Sequence, residues 1–431
     1  MGTSRKGLRR RVAMLLTIAG LGVIPFASSA HAADPVNVNI AHTKTSVTGI
    51  LLNTVMEQGL DVANGWKANP VEVAAAPQIL AGFVGGTLDL TSATIDNFIT
   101  WQMSKPMTVW REQVSAPFWE IVVRKDFADS NGLKVGSDYK TVMTALAKSN
   151  VGVVSKNGAS EYMWLQLVGG AGITYTGTVV PGLVSAATIQ AAFTAKSVDA
   201  VIAYEPFATM MVQNGSAISP FSIRDGAKGL PEVTRAPGLS LGGPSDWFNK
   251  EGNKDLAKKI DKSFDEAVAW LKAPKNFAKA VALLQSKSGL DNATSIAALK
   301  QNLNYFSPNG NMNLAAWDRV GQWYKDTNQA VVKGTLLQAK DFVFNLSARE
   351  IKPVKKGATI ALKTLATELL LYPKSTSKIT VVSLTTKICS ISGSAVVMKK
   401  DGVCEVGVQV VDKGAKNFQN RSAKTTITVK K

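Results

Sequence analysis

The sequence predicts an α/β body followed by a small all-β sandwich, because its hydrophobic periodicity changes once along the chain. From about residue 33 to 350, short apolar strands alternate with segments in which apolar residues recur every three to four positions. From 351 to 431, β-branched and polar residues alternate instead, which is typical of half-buried strands. We therefore expect parallel sheets with crossover helices in the body and antiparallel strands in the tail.

Residues 1–32 have the composition of a secretory signal peptide. A basic start that ends at Arg11 precedes an apolar stretch of 16 residues and the small-residue cleavage pattern Ala30-His31-Ala32. The apolar stretch is shorter than the roughly 20 residues of a membrane-spanning helix. We expect an exported protein, located in the periplasm, in the cell envelope or outside the cell.

The first strands of the body end in polar loops. The strand "VNVNIAH" runs into Thr43, Lys44, Thr45 and Ser46, and the helix "ILLNTVMEQGL" follows. The next segment, "VEVAAAPQILAGFVGGTLDLTSA", predicts a strand, a turn at Pro77, a helix and a second strand. Ligands of open α/β sheets gather at the carboxyl ends of the strands, so these loops are candidate ligand contacts.

A third polar turn lies in "VGVVSKNGASEYMWLQLVGGAGI", which begins at Val151. A short apolar strand is followed by Gly158-Ala159-Ser160 and then by helical spacing. The N-terminus of such a helix exposes unpaired N–H groups and a positive dipole end, which favour an anionic or polar group. The alternative is an ordinary helix whose N-cap is Ser160 and which binds nothing.

Several catalytic site types are excluded by composition. The chain has two histidines, and His31 leaves with the signal peptide, so His42 is alone in the mature protein. A multi-histidine metal site is therefore impossible, and a Ser-His-Asp triad would have to use His42. We expect no enzymatic activity, no cofactor and no metal.

Four stretches together resemble the solute-binding proteins of ABC importers for nitrate, taurine and alkanesulfonates, a family that also includes binders of thiamine-type pyrimidines. They are "IAHTKTS", "AAAPQILAGFVGGTLDLTSAT", the stretch from Val151, and "AAFTAKSVDAVIAYEPFATMMVQNG", in which Tyr204-Glu205-Pro206 forms an aromatic-acidic-proline turn. The likeness covers about residues 35–345. It departs from the family at Ala74-Ala75-Ala76, where the family's turn is usually richer in Gly and Ser, and in having a β tail.

The resemblance implies a two-lobed periplasmic-binding-protein fold of type II that closes on a ligand. The solute-binding domain is then 33–350, with lobe one at 33–125 and 226–350 and lobe two at 126–225. The two crossing strands would be "IVVRKD", from Ile121, and "FSIRD", from Phe221. The helices after Asp255 would pack on the back of lobe one through Leu256, Ile260, Phe264, Val268 and Leu271.

The implied function is capture of a small polar or anionic solute (a sulfonate, nitrate, taurine or a pyrimidine-like compound) and its delivery to a membrane permease. The candidate contacts are polar or aromatic residues of the loops above: His42, Thr43, Thr45, Ser46, Gln78, Ser92, Thr94, Trp119, Asn157, Gly158, Ser160, Tyr204 and Glu205. Each also has a structural interpretation, as a cap, a turn or a solvated side chain. Lys44 could neutralise an anion, although exposed lysines are usually only solvated.

Two sets of candidates carry a specific alternative. Trp101, Trp110 and Trp119 lie close together in sequence and are predicted to pack in the core, with Trp119 as the one favoured ligand contact. The carboxylate of Glu205 would repel an anion, so either it points away from the cleft or the ligand carries donors. Two other functions remain open: a cell-surface scaffold or adhesion protein, and a pyrimidine-synthase-like enzyme.

The tail carries most of the basic charge of the mature chain. Residues 351–431 hold 15 Lys/Arg and four acidic residues, whereas residues 33–350 are close to neutral. An exported protein seldom meets nucleic acid, so we exclude that partner. Anionic envelope polymers or lipid head groups are the expected partners, and a merely solubilising domain is the alternative.

Cys389 and Cys404 both lie in this tail, on strands predicted as the first and third of a meander with a hairpin turn at Lys400-Asp401-Gly402. In an oxidising compartment they are expected to form a disulfide, the alternative being two buried thiols. The cysteines and the closing "TTITVKK" resemble the Ig-like β modules of actinobacterial surface proteins.

Overall fold

The computed structural model describes residues 34–308, 310, 312–327, 351–369, 376–411 and 421–430. The predicted signal peptide lies outside these residues. Within these ranges, no helix is both long enough and apolar enough to cross a membrane.

The first sheet has five strands in the order β2-β1-β3-β10-β4. Their bounds are β1 Val36–His42, β2 Trp66–Glu72, β3 Leu90–Ala93, β4 Met107–Val114 and β10 Leu239–Pro244. Strand β1 is parallel to both β2 and β3, so the carboxyl ends of these three strands lie at one edge of the sheet. Strand β10 is antiparallel to its neighbours β3 and β4.

Helices cover this sheet and build the back of the first lobe. They are α1 Ile50–Glu57, α2 Leu60–Ala63, α3 Ala76–Val84, α4 Ile95–Trp101, α10 Ser245–Phe248, α11 Asn253–Lys272, α12 Phe277–Ser288, α13 Asn292–Asn302 and α14 Leu314–Asp326. The apolar positions predicted for the helix after Asp255 are all buried in α11. Their spacing of three to four residues places them on one face, which packs into the core.

The second sheet also has five strands, in the order β7-β6-β8-β5-β9. They are β5 Trp119–Arg124, β6 Val151–Gly152, β7 Val179–Val180, β8 Ala200–Tyr204 and β9 Ala217–Ile218. Its helices are α5 Lys125–Ser130, α6 Tyr139–Ala145, α7 Ala159–Ala171, α8 Ala186–Thr194 and α9 Phe207–Gln213. The parallel strands β6 and β8 are followed by α7 and α9, so the loops before these helices share one edge.

The chain crosses between the sheets through residues 115–118 and returns through 219–238. Strand β5, which the predicted boundary at residue 125 placed in lobe one with the crossing strand from Ile121, pairs throughout with β8 and β9 of the second sheet. The second predicted crossing strand, from Phe221, forms turns instead. An apolar run alone does not show which sheet a strand joins, because both sheets bury both faces of their central strands.

The C-terminal region contains two further sheets. Strands β11 Ile351–Lys355, β17 Arg421–Lys430, β16 Gly402–Val411 and β13 Lys378–Ser383 form one, in that order, and β12 Thr359–Ala361, β15 Ala395–Met398 and β14 Cys389–Ser392 form the other. Their inward side chains make a separate core that includes Val396, Met398, Val406 and Val408. The predicted α/β body with an added all-β region is thus confirmed, whereas the Ig-like identity of that region stays a prediction.

The predicted disulfide is present, with 5.6 Å between the Cα atoms of Cys389 and Cys404. It joins the two sheets, because Cys389 begins β14 and Cys404 lies on β16. The hairpin predicted at Lys400-Asp401-Gly402 is wrong: β15 and β16 belong to different sheets, and this turn carries the chain between them. The hairpin lies instead between β14 and β15, where Gly393 has a positive φ of 56°.

A second correction concerns the start of the tail. The alternating pattern of residues 358–374 predicts strand, but within the described residues 358–369 only β12 is extended, and α15 (Leu362–Glu368) follows it. Leu365 and Ala366 of this helix are fully buried. Leu and Ala are strong helix formers, and packing of these two side chains into the core of the β region further stabilises the helix.

Candidate ligand-binding cleft

A cleft of about 900 Å³, part of it open to solvent, lies between the two α/β lobes. The first lobe lines it with the ends of β1 and β3 and with the loops that follow them. The second lobe contributes Val154, Ser155, Ala159, Ser160 and Tyr204. The polar ends of parallel strands from both lobes therefore meet at one site, as expected for open α/β sheets.

The loop after β1 is a closed turn. The N–H of Ser46 donates to the Thr43 carbonyl at 3.2 Å, and the hydroxyls of Ser46 and Thr48 lie 2.7 Å apart. A Cβ at Gly49 would collide with the Thr43 carbonyl oxygen, so glycine is required for this turn to close. The turn places Thr43, Ser46 and Thr48 in the cleft lining, whereas Thr45 does not line it.

His42 lines the cleft as an uncharged polar group. Its Nε2 is 2.8 Å from Oδ1 of Asn53, and burial lowers the pKa of the imidazole below its ordinary value. The neighbouring Lys44 does not line the cleft but pairs with Glu72 at 2.7 Å, with both side chains exposed. Neither residue therefore supplies a positive charge to a ligand at neutral pH.

Helices α3 and α4 begin at the cleft. The Thr94 hydroxyl accepts from the Asn97 N–H at 3.3 Å and so caps α4, while Ser92 lies two residues earlier on β3. Both line the cleft, as does Asn97, whose Oδ1 is buried and has no hydrogen-bond partner in the described part of the chain. Asn97 was not among the sequence candidates, although its position three residues after a capping threonine placed it in the first turn.

Gln78 has a structural role instead. Its exposed side chain accepts from the Ala74 N–H at 2.7 Å and from the Ala75 N–H at 3.3 Å, which caps α3. The Gln78 side chain does not line the cleft, but Ala74, Ala75 and Ala76 do. The turn that departs from the family pattern thus presents backbone and methyl groups rather than hydroxyls.

The N-terminus of α7 faces the cleft from the second lobe. Ala159 and Ser160 line it, and within the described residues neither backbone N–H has a protein acceptor. The Ser160 Oγ accepts from the Val154 N–H at 3.0 Å. Two free N–H groups at the positive end of a 13-residue helix can bind an anionic or strongly polar oxygen.

Asn157 and Gly158 shape this turn without lining the cleft. The Asn157 N–H donates to the Glu161 carboxylate, and Asn157 has a positive φ of 54°. A Cβ at Gly158 would collide with the Ser155 hydroxyl, so a larger residue here would displace that side chain. The Glu161 carboxylate beside the first turn offsets part of the positive dipole end.

An aromatic wall closes one side of the cleft. Phe118 stacks on Trp119 with ring centroids 4.7 Å apart, and Tyr204 meets Trp119 edge-on at 5.9 Å. The Tyr204 hydroxyl donates to the Val184 carbonyl at 2.9 Å, and burial raises its pKa to about 12. Trp101 and Trp110, the two tryptophans grouped with Trp119 in the sequence, are core residues. Trp101 packs on Phe83 and Phe98, and Trp110 stacks on Trp247.

The carboxylate of Glu205 points away from the cleft. It accepts from Arg224 Nη1 at 3.1 Å and from the Thr209 N–H at 3.1 Å. Arg224 also approaches Glu120 at 3.4 Å, and burial raises the pKa of Glu120 to about 7. Glu205 therefore belongs to a buried ion cluster and exerts no direct repulsion on a ligand.

Of the sequence candidates, His42, Thr43, Ser46, Ser92, Thr94, Trp119, Ser160 and Tyr204 line the cleft. Thr45, Gln78, Asn157, Gly158 and Glu205 do not. Among the residues that the structure describes, the lining includes no Asp, Glu, Lys or Arg. The site is thus a cleft of hydroxyls, amides and helix dipoles beside apolar and aromatic surface.

The whole chain was compared with known proteins. No protein-family model matches it, and no curated protein sequence matches it either. Solved structures do match, at low sequence identity.

One is the alkanesulfonate-binding protein of Xanthomonas axonopodis pv. citri bound to MOPS, at 17% identity and a TM-score of 0.57, covering 73% of this chain and 99% of that one. The periplasmic aliphatic sulphonate-binding protein of Escherichia coli matches at 20% identity and a TM-score of 0.54, covering 72% and 98%. The periplasmic nitrate-binding protein of Synechocystis PCC 6803 matches at 16% identity and a TM-score of 0.51, covering 62% and 70%. The fold of the body is therefore the two-lobed periplasmic-binding-protein fold.

Proposed function

We propose that this chain is an exported solute-binding protein that holds a small molecule in the cleft between its lobes and delivers it to an ABC importer. The observation that carries the proposal is the convergence of two lobes on one polar cleft. Strand ends of the first lobe and the free N-terminus of α7 in the second lobe face the same space. The proteins of similar fold are described as binding alkanesulfonates and nitrate, which supports a solute of this kind.

The lining favours a solute with one polar head and an apolar body. Ala159 and Ser160 offer N–H donors to the head, while Leu52, Ile79 and Trp119 offer apolar contact to the body. Burying a charge without a compensating group costs several kcal/mol, and the described lining contains no cationic side chain. A singly charged or zwitterionic head, such as a sulfonate, therefore fits better than a phosphate dianion.

The cleft also offers an acceptor. Oδ1 of Asn97 is buried and unpartnered among the described residues, and a buried acceptor without a donor costs about 1–3 kcal/mol. A ligand that carries an N–H or O–H group beside its anionic head would satisfy this oxygen once the Asn97 side chain turns toward the cleft, because the oxygen itself is fully covered in this structure. Taurine-like aminosulfonates and hydroxyalkyl sulfonates have this combination.

The test is direct binding to the mature full-length protein. We expect MOPS or taurine to raise the melting temperature and to bind measurably in calorimetry, with inorganic phosphate as the dianionic comparison. Small-angle scattering should show a smaller radius of gyration with the bound probe, because the ligand favours the closed state. If a probe binds without compaction, the clamp mechanism is wrong; if phosphate binds and no sulfonate does, the ligand class is wrong.

Single substitutions test whether the cleft, rather than another part of the protein, binds the probe. Trp119→Ala removes the aromatic wall and should weaken binding of the probe at least tenfold. Ser160→Ala removes a hydroxyl at the α7 terminus and should also weaken it. Ser130→Ala is the matched control, since Ser130 is exposed on α5 and bonds only within its own helix. Equal affinity in all three variants would refute the assignment of the site.

A further inference from the structure

One end of the C-terminal β region carries a cluster of lysines, which we name the basic end. Its members come from four separate places in the chain and are all exposed. They are Lys355, Lys356, Lys387, Lys399, Lys400 and Lys430.

Backbone hydrogen bonds bring these positions together. Lys355 is in register with Lys430, and the Lys356 N–H donates to the Lys430 carbonyl at 2.9 Å. The next residue, Gly357, donates to the Met398 carbonyl at 2.8 Å, which joins this edge to the strand that ends beside Lys399. The basic end therefore includes the ends of both sheets.

Lys399 and Lys400 are tied to the turn that precedes β14 in the three-stranded sheet. The N–H groups of Lys399 and Lys400 both donate to the Ile388 carbonyl, at 2.7 and 3.1 Å. Ile388 follows Lys387 directly. Six lysines thus occupy neighbouring positions, and neighbouring strands are about 4.8 Å apart.

Within the described ranges, few acidic groups lie beside the basic end. None of its six lysines forms an ion pair with a residue in the described ranges. One exposed carboxylate, Asp401, lies in the same turn, and Glu405 is half-buried on β16. The remaining described acid of the region, Glu368, is the last residue of α15. Like charges within a Debye length of about 8 Å repel one another, so an anionic partner would relieve this repulsion.

The shape of the patch favours an extended anion. The lysines are distributed over the ends of two sheets, which is wider than one phosphate or sulfonate group. Long flexible lysine side chains suit a polymer with regularly spaced charges, because each ammonium group can move independently to contact one anionic group of the polymer. A lipid surface is less favoured, since the described β region contains no aromatic side chain of the kind that anchors proteins at membrane interfaces.

We propose that the basic end binds a linear anionic polymer whose repeating units carry phosphate or carboxylate groups, and that it holds the protein on a surface made of such polymers. Attachment is electrostatic and independent of the cleft. It leaves the two α/β lobes available for solute, whatever that solute is.

The experiment uses the mature full-length protein and long-chain inorganic polyphosphate as the probe. Affinity is measured between about 50 and 200 mM salt, a range over which counterion release weakens polyanion binding steeply. Each engaged lysine contributes about 0.7 to the slope of log affinity against log salt, taking single-stranded nucleic acid as the guide. Replacing all six lysines by Gln should lower the affinity at least tenfold at low salt and flatten this slope by about 3 or more.

The matched control changes the same charge elsewhere. Six exposed lysines of the body that form no described ion pair are replaced by Gln: Lys67, Lys134, Lys140, Lys148, Lys275 and Lys279. This variant should lose less than twofold in affinity. If it loses as much as the first variant, net charge rather than the basic end is responsible, and the proposal fails.

A second binding measurement distinguishes a polymer partner from a lipid surface. Vesicles containing anionic phospholipid are tested in parallel, because Val382, Leu384 and Val403 are exposed apolar residues on the same four-stranded sheet or just after one of its strands. Binding to vesicles without binding to polyphosphate would overturn the proposal, and so would binding to neither. If the sixfold variant does not fold, the triple replacement of Lys387, Lys399 and Lys400 should show a partial loss with a proportionally smaller change in slope.

Discussion

Replacing Asp96 with Asn should change how the stability of the protein depends on pH. Asp96 lies on α4 and is buried, and its Oδ1 accepts from Gln166 Nε2 at 3.1 Å and from the Tyr324 hydroxyl at 3.1 Å. Burial raises the pKa of the carboxyl to about 6, and the two hydrogen bonds only partly oppose this rise. Asn can accept the same two bonds with its carbonyl oxygen but does not ionise.

The size of the effect follows from linkage. A pKa of about 6 in the folded state and about 3.9 in the unfolded state means that the folded state binds the proton more tightly. Stability from this group is therefore highest at low pH and falls as the pH rises from about 4 to 6. Ionised Asp96 costs the folded state about 3 kcal/mol above that window, and lowering the pH from 7.5 to 5 recovers about 1.4 kcal/mol.

The assay is denaturant unfolding of both proteins at pH 7.5 and pH 5, followed by tryptophan fluorescence. The difference in unfolding free energy between Asp96→Asn and wild type should shift by about 1.4 kcal/mol between the two pH values, in favour of wild type at pH 5. Replacing the exposed Asp129 with Asn is the control. The corresponding difference in unfolding free energy should shift by about a few tenths of a kcal/mol at most, because Asp129 forms only a surface ion pair. A pH dependence that is the same in Asp96→Asn and wild type would refute the reasoning.

Protonation of the Asp96 carboxyl should also affect the equilibrium between open and closed lobes. Asp96 belongs to the first lobe and Gln166 to α7 of the second, so their hydrogen bond spans the interface. Separating the lobes would expose Asp96 to water and return its pKa toward the ordinary value. Protonation then favours the closed arrangement, so solute affinity should be more sensitive to pH in wild type than in Asp96→Asn.

Two further variants test the other buried features. Arg224→Met should destabilise the protein by about 3–5 kcal/mol in denaturant unfolding, because Glu120 and Glu205 are left buried without their cation; a loss below about 1 kcal/mol would contradict the ion cluster. Cys389→Ser should lower the stability of the β region by about 3 kcal/mol, the value expected for opening a loop of this length, while leaving solute affinity in calorimetry unchanged; a loss of affinity would show that the β region acts on the cleft.

Much of the body could be predicted because its signals are local. In strand β1 the apolar Val38 and Ile40 are buried on either side of half-buried Asn39, and the apolar stripe of α11 follows the helical repeat. The boundary at residue 125 and the turns after Phe221 depend instead on which sheet a segment pairs with. Pairing is a long-range property, and a run of apolar residues is compatible with either sheet.

The lining of the cleft was predictable to the same extent, whereas its role in binding stays a prediction. Polar residues at the carboxyl ends of β1 and β3 reached the cleft because parallel strands place their ends at one edge. Gln78 did not, because its side chain caps α3, and Asn157 did not, since it lies in the turn before α7, where its backbone N–H donates to the Glu161 carboxylate. A polar residue near a helix N-terminus can bind either the backbone or a ligand, and the sequence does not distinguish these roles.

The turn at Tyr204 and Glu205 combines a residue of the cleft lining, a buried ion pair and a hydrogen bond between the lobes. The ring of Tyr204 faces the cleft, while the carboxylate of Glu205 turns to Arg224. The carbonyl of Glu205 accepts from the Val47 N–H at 2.9 Å, which ties this second-lobe turn to the first-lobe loop that contains Ser46. A solute that contacts this loop and Tyr204 would therefore strengthen a connection that already exists, and closure would need only small changes at this edge of the cleft.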